Sequence, residues 1–298
     1  MALGVLNNLS AVYAENNLNK TSSSLQTVLE QLSSGSRINS GADDAAGLSL
    51  VNGLAANSTA LKQSTTNATE GVGLLQVADG SLSQVTTLLN RAITLAAESS
   101  NGTLDSSQAQ AANEEYQSIL DEITNIGSTT TYNGNQVFTG GTVDIYTGDS
   151  TSTGGSIDSL YFATLGSSSV GTTGGTMSYT TAGTATISYT ASAGENLSTS
   201  SLLTTSSAEA ALTNLNLAVA DVAAMDGYIG AQINTLESIS TVMSTQQENV
   251  LSAQNAIQAT DYASATSNMS KYEILTQTGI AALAQANSVE QEVTKLLQ

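Results

Sequence analysis

Cysteine, histidine and proline are all absent from the 298 residues of this chain. Without cysteine there is neither a disulfide framework nor a thiolate metal site. Without histidine the usual acid/base at neutral pH is gone, and with it the commonest metal ligand. Without proline, nothing removes a backbone donor from the interior of a long helix. Positive charge is scarce too: six Lys and Arg stand against 25 Asp and Glu, a formal net charge of −19. The six are scattered, at Lys20, Arg37, Lys62, Arg91, Lys271 and Lys295. A nucleic-acid partner needs a basic patch, which this chain lacks, and an anionic membrane surface is disfavoured on the same ground. So acidic a balance instead keeps a surface soluble before assembly. No window approaches the 18 consecutive apolar residues of a membrane span. The first twenty residues lack the basic flank and continuous apolar run of a cleavable signal peptide.

What is present is periodicity. Between 11 and 32, Ala11, Ala14, Leu18, Leu25, Val28 and Leu32 keep a three-to-four spacing that only Thr21 interrupts. Leu75, Ala78, Leu82, Val85, Leu89, Ala92 and Ala96 form an unbroken series, and Ala109, Ala112, Tyr116, Ile119, Ile123 and Ile126 form another. Each predicts an amphipathic helix. A fourth series places Leu215, Val222, Ile229, Leu236, Met243, Val250 and Ile257 seven residues apart. That is a heptad seam, and at ~1.5 Å per residue it spans roughly 65 Å. A last series, Tyr272, Leu275, Gly279, Ala282, Ala286, Val289, Val293 and Leu296, carries helix almost to the C-terminus.

Residues 138–204 behave differently. They are crowded with Gly, Ser and Thr, and "TMSYTTAGTATISYTA" (176–191) alternates around Ala182-Gly183, which reads as a β-hairpin. The fold class is therefore mainly α: long antiparallel helices forming a coiled-coil terminal region and a helical rod, with a small β-rich Gly/Ser/Thr insert. Narrow apolar seams at both chain ends gain their stability only by burial against something. They pair with each other, or pair and still offer apolar faces to neighbouring copies.

One stretch breaks the helical pattern near the N-terminus. "SSGSRINSGADDAAGLSL" (33–50) stacks three glycines, five serines and an Asp pair. Gly35 and Gly41 are read as turning the backbone where a Cβ would clash. Ser40 is placed as the N-cap of the next helix, with Asp43 and Asp44 at its positive end. Arg37 either pairs with a carboxylate or carbonyl or is a solvated turn arginine.

The same stretch, extended by one residue to "LSSGSRINSGADDAAGLSL", resembles the N-terminal signature of bacterial flagellins. "NRAITLAAESSNGT" (90–103) and "TTTYNGNQVF" (129–138) follow in the expected order. At the other end, "GYIGAQINTLES" (227–238) resembles the start of that family's long C-terminal helix. "ATDYASATSNMSKYEILTQTGIAALAQANSVEQEVTKLL" (259–297) is similar to its C-terminal segment throughout. The resemblance covers roughly 1–140 and 205–298 and leaves the insert outside. Two departures are visible: Glu290 stands where flagellins commonly carry proline, and "AQNAIQATDYA" lacks the arginines many of them place before this motif.

The resemblance implies a filament subunit for bacterial swimming, secreted to the extracellular flagellum by a flagellar type III apparatus that exports it unfolded. Residues 1–44 and 256–298 would form the terminal coiled coil of an inner tube. Residues 45–137 and 205–255 would form the rod of an outer tube, and 138–204 would face solvent. Gly35, Arg37, Ser40, Asp43 and Asp44 would lie in the spoke between the layers. The assembly seams would include Leu18, Leu25, Leu32, Val250, Ile257, Val289, Val293 and Leu296. Partners implied are many copies of the same chain, an export chaperone on the C-terminal helix, and the filament cap and hook-junction proteins. Arg91, Leu95 and Glu115 match a rod surface that is buried between subunits in family filaments and that, in some members, host Toll-like receptor 5 recognises.

No cofactor or metal is expected, and no enzyme. The metalloprotease insert of some flagellins needs an HExxH helix, which a chain without histidine cannot make. The pairs Asp43-Asp44 and Glu114-Glu115 are adjacent, so they splay to different helix faces rather than converge. A hook–filament junction protein or a surface adhesin of the same architecture are the alternatives. The sequons at Asn67, Asn101 and Asn196 are read as products of a Ser/Thr/Asn-rich composition.

Overall fold

A computed structural model of the chain describes residues 8–148, 157–172, 177–180, 186–189 and 195–296. The element order among them is α1 (Leu9–Ser34), α2 (Ala45–Ser100), α3 (Ser106–Thr129), eight short strands, α4 (Thr205–Gln258) and α5 (Tyr262–Leu296). The strands are β1 (Thr131–Tyr132), β2 (Asn135–Gln136), β3 (Thr142–Tyr146), β4 (Ile157–Tyr161), β5 (Thr164–Gly166), β6 (Ser169–Thr172), β7 (Met177–Thr180) and β8 (Thr186–Tyr189). They form four antiparallel pairs of consecutive strands. The protein is thus mainly α with small β-hairpins, as the periodicities predict. The hairpin read at 176–191 is β7 paired with β8, Tyr179 opposite Ile187; its turn at Ala182-Gly183 lies outside the described residues. No helix among the described residues is long and apolar enough to cross a membrane.

The chain divides into two compact units, 57–248 and the combined ends 1–56 and 249–298. The central unit, 57–248, holds the larger core. Every member of the series Leu75 to Ala96 is fully buried, as are Tyr116 and Ile123 of α3 and Leu215 and Val222 of α4. The helical periodicity therefore places the core side chains of α2 and α3 correctly. Local chemistry fixes the ends of α3. Asp105 accepts from the Ser107 and Gln108 amides while Gln108 reaches back to the Asp105 N–H, a reciprocal capping box. After α3, Asn133 and Gly134 both take positive φ, 49° and 80°, as a two-residue hairpin turn requires, and Tyr132 pairs with Asn135 across it.

The heptad seam of α4 does not run uniformly. Leu215, Val222, Ile229 and Leu236 are buried, whereas Met243, Val250 and Ile257 are only half-buried. The described part of 138–204 also departs from a segment that simply faces solvent. Phe138, Leu160, Phe162, Leu165, Val170 and Leu197 are buried and belong to one apolar cluster with α2, α3 and α4. Burying each of these is worth ~1.5–3 kcal/mol, too much for a detachable ornament. Polar ties reinforce the packing: Thr124 Oγ1 accepts from the Ser167 amide, Asn113 Oδ1 from the Leu202 amide, and the Ser200 carbonyl from Gln117. Alternating Ser/Thr masked these anchors in the sequence, because each is an isolated apolar residue without a period.

Candidate assembly surface

In the terminal unit the two chain ends pair antiparallel. Asn8 caps α1 and also donates from Nδ2 to the Ala286 carbonyl at 3.0 Å. Leu18 lies over Gly279, where an added Cβ would stand 3.2 Å from its Cδ1. Leu18, Leu25 and Leu32 are half-buried, and Val28 is buried beside them. On α5 the inward positions are Ala265, Met269, Tyr272, Thr276, Gly279, Leu283 and Ala286. The last sequence series is therefore partly out of phase. Tyr272, Gly279 and Ala286 face inward, but Leu275, Ala282 and Val289 are exposed, Val289 to 43%. Positions three and four residues on sit on opposite flanks of a helical seam, and α5 uses the flank carrying Met269, Thr276 and Leu283. Val293 falls within the bounds of α5, as does Leu296, but their side chains lie outside the described residues.

This pairing leaves apolar surface uncovered. Leu9, Tyr13, Tyr262, Ile274 and Ile280 are each more than half exposed. Scattered exposed apolar residues are ordinary, whereas a concentration of them marks an interaction surface. The terminal unit holds most of the exposed large apolar side chains among the described residues.

The break between α1 and α2 is built from glycine, carboxylate and one arginine. Gly35 ends α1 in the left-handed conformation at φ 71°, its N–H returned to the Gln31 carbonyl at 3.0 Å, the usual glycine terminator. Gly41 has no such role: it is not among the described glycines of positive φ, and its nearest neighbour, Leu48 Cδ2, leaves room for a Cβ. The glycine that sequence reading missed is Gly47, where a Cβ would meet Asp44 Oδ2 at 2.5 Å and Ile38 Cδ1 at 2.7 Å.

The cap of α2 must also be reassigned. Asp44, not Ser40, precedes Ala45 and accepts the Gly47 amide on Oδ1 at 2.8 Å. Ser40 instead donates its amide and hydroxyl to Asp43 Oδ2, which also accepts the Asn39 amide. These bonds, the Ser40 amide foremost, hold the Asp43 carboxyl below its ordinary value. A turn over 41–43 separates Ser40 from the helix, so its hydroxyl cannot reach the first-turn donors. Asp44→Ala is expected to cost about 1 kcal/mol, the usual value of an N-cap, and Ser40→Ala distinctly less. Urea denaturation of the two variants checks this ranking.

Arg37 takes the carbonyl alternative. Its Nη2 donates to the Ile257 carbonyl at 2.9 Å and its backbone N–H to the Gln258 carbonyl at 2.7 Å.

On the central unit, Arg91 of α2 and Glu115 of α3 form an exposed ion pair at 2.7 Å, worth ~0–1 kcal/mol in solvent. Leu95 does not share that surface. It is 3% exposed, inside the main core, because it lies one turn beyond the inward-facing Ala92. Among the described residues no group of three or more carboxylates could hold a metal ion.

A mainly α protein whose two ends form one helical pair is thus defined by its fold. Comparison with known sequences identifies the family. Residues 5–142 match the bacterial flagellin N-terminal helical region and residues 212–297 the bacterial flagellin C-terminal helical region. The chain belongs to the bacterial flagellin family. It is 41% identical over 140 residues to polar flagellin C of Vibrio parahaemolyticus, a match covering 47% of this chain and 36% of that protein. The aligned part therefore spans little more than a third of that relative. Over 97% of its length the chain is 29% identical to the flagellar filament 30.7 kDa core protein of Treponema maltophilum, 98% of which is covered. The crystal structure of Bacillus cereus flagellin superimposes with a TM-score of 0.45 at 22% identity, covering 63% of this chain and 94% of that one.

Proposed function

We propose that the chain is a structural subunit that polymerises into a bacterial flagellar filament and catalyses no reaction. The observation that carries this reading is the terminal helix pair, which buries one seam between its two members and turns a second set of apolar side chains outward. The full-length likeness to a flagellar filament core protein supports it. In this reading Val289, Ile274 and Ile280 face neighbouring copies, as do the half-buried Val250 and Ile257. The subunit is secreted and acts outside the cell in swimming motility. It leaves through the flagellar type III apparatus with a chaperone shielding α5, and it meets the cap and hook-junction proteins at the filament ends. The Arg91–Glu115 surface is first a subunit contact, and Toll-like receptor 5 is its second candidate partner.

Sonicated filament seeds added to concentrated chain should elongate into helical tubes visible by electron microscopy. A chain that stays monomeric under all seeding conditions overturns the reading. One that adds only a short collar to seeds supports the hook–filament junction alternative instead.

A further inference from the structure

The three residues between α4 and α5 contain neither glycine nor proline, yet the helix stops there. Ala259, Thr260 and Asp261 separate Gln258 from Tyr262. Alanine is the best helix former, and threonine and aspartate are tolerated in helix interiors, so local sequence does not forbid a continuous helix. Something outside the segment must interrupt it.

Residues 35–37 supply that interruption. Ser36 forms an antiparallel bridge with Ala259. The Gly35 carbonyl accepts the Thr260 amide at 3.0 Å, and the Gln258 carbonyl accepts the Arg37 amide at 2.7 Å. The Arg37 guanidinium takes the Ile257 carbonyl at 2.9 Å, placing a cation at the negative end of α4. Thr260 Oγ1 donates to the Gln31 carbonyl. These are the groups an uninterrupted helix would otherwise satisfy: the Ile257 and Gln258 carbonyls would accept from residues 261 and 262, and the Thr260 amide would donate to Ala256. Asp261 then restarts the helix by accepting the Ala263 and Ser264 amides on Oδ1.

We infer that the α4–α5 break is a conditional joint: it exists while residues 35–37 are docked against 257–260, and closes into one continuous helix when they leave. Backbone groups that lose their partners from residues 35–37 find replacements by extending α4, since each residue added to an existing helix gains one bond without a new nucleus. Docking of the segment after α1 thereby decides whether the helix is interrupted between Gln258 and Tyr262. Arg37 is a positioning residue in this device, and Gly35 is required because its φ of 71° aims its carbonyl while a Cβ there would meet Tyr262 Oη at 2.9 Å.

The test reads backbone conformation at the joint itself and does not depend on polymerisation. Full-length chain labelled with 13C in alanine and threonine is compared with Arg37→Ala, Asp261→Ala and the double variant by NMR. In the wild type, Ala259 and Thr260 should show non-helical Cα shifts while Ala256 is helical. Asp261→Ala alone should leave them unchanged, because residues 35–37 still hold the break. Arg37→Ala should move them partway toward helical values, and the double variant fully, with Arg37→Lys restoring most of the wild-type position. Helical shifts at Ala259 in the wild type overturn the inference, as does conversion by Asp261→Ala alone, which would make the capping residue the breaker. Coil-like shifts from 256 to 265 in the double variant also overturn it, since the break would then be intrinsic.

Discussion

Val222→Asp is expected to lower the melting temperature of the central unit by roughly 10 °C. Val222 is fully buried on α4, within the apolar cluster shared with α2 and α3. The substitution removes ~1.5–3 kcal/mol of apolar burial and leaves a carboxyl with no partner where charge is strongly disfavoured. Together these cost about 4 kcal/mol, against a typical domain stability of ~5–15 kcal/mol; for a unit of this size each kcal/mol shifts the midpoint by ~2–4 °C. The effect has a sign in pH. The folded-state carboxyl at 222 titrates above its unfolded value near ~4, so the penalty is small below that pH and grows as pH rises through the folded value. Val250→Asp, four heptads on, is the control. Val250 is only half-buried, so the monomer should lose about 1 kcal/mol while elongation from seeds fails. Circular dichroism melts at pH 4 and pH 7 separate the two; equal melting losses would show the two seam positions to be equivalent.

The contrast between those valines shows what sequence periodicity does and does not carry. A heptad series states that residues share a face, not that the face is covered. The 75–96 stretch of α2 was legible because every member of its series has core on the same side, over seven consecutive positions. On α5 the apolar count favoured Leu275 over Thr276 and Val289 over Leu283, and the chosen flank reversed this. Threonine and glycine let the two helices approach, and no hydrophobicity scale rewards that. The turn before α2 was legible in composition and misread in detail. Ser40 and Asp44 are equally good caps in isolation, and only the course of residues 41–43 decides between them. Leu95 matches a family surface by sequence, yet the period that buries Ala92 buries it too. The anchoring role of Phe162 and Leu165 was illegible because it depends on where loops return, a long-range fact with no local signature.

That anchoring role gives the other large effect, at Gly127. This glycine is buried near the end of α3, and a Cβ built on it would collide with the carbonyl oxygen of Leu165 on β5. The obstacle is backbone, held by the β5–β6 pairing and by the Ser167 amide bonded to Thr124, so no flexible side chain can swing away. Gly127 also presents its carbonyl to Gln136 Nε2 at 2.9 Å, tying the close approach to the hairpin after α3. Gly127→Ala should therefore push β5 off α3 and cost about 3 kcal/mol, the upper end of ordinary overpacking. Intrinsic helix propensity predicts the opposite, a gain of ~1 kcal/mol for replacing a helical glycine by alanine. Gly227→Ala tests that term alone, because Gly227 is exposed on α4 with nothing within 4 Å of an added Cβ. Denaturant midpoints should move in opposite directions for the two variants. If Gly127→Ala were as stabilising as Gly227→Ala, the hairpin segment would be yielding to the helix, and its buried phenylalanine and leucines would not be anchoring it. If the midpoint falls as expected, α3 and the segment that follows it fold as one body, joined by this backbone contact as well as by the buried apolar cluster.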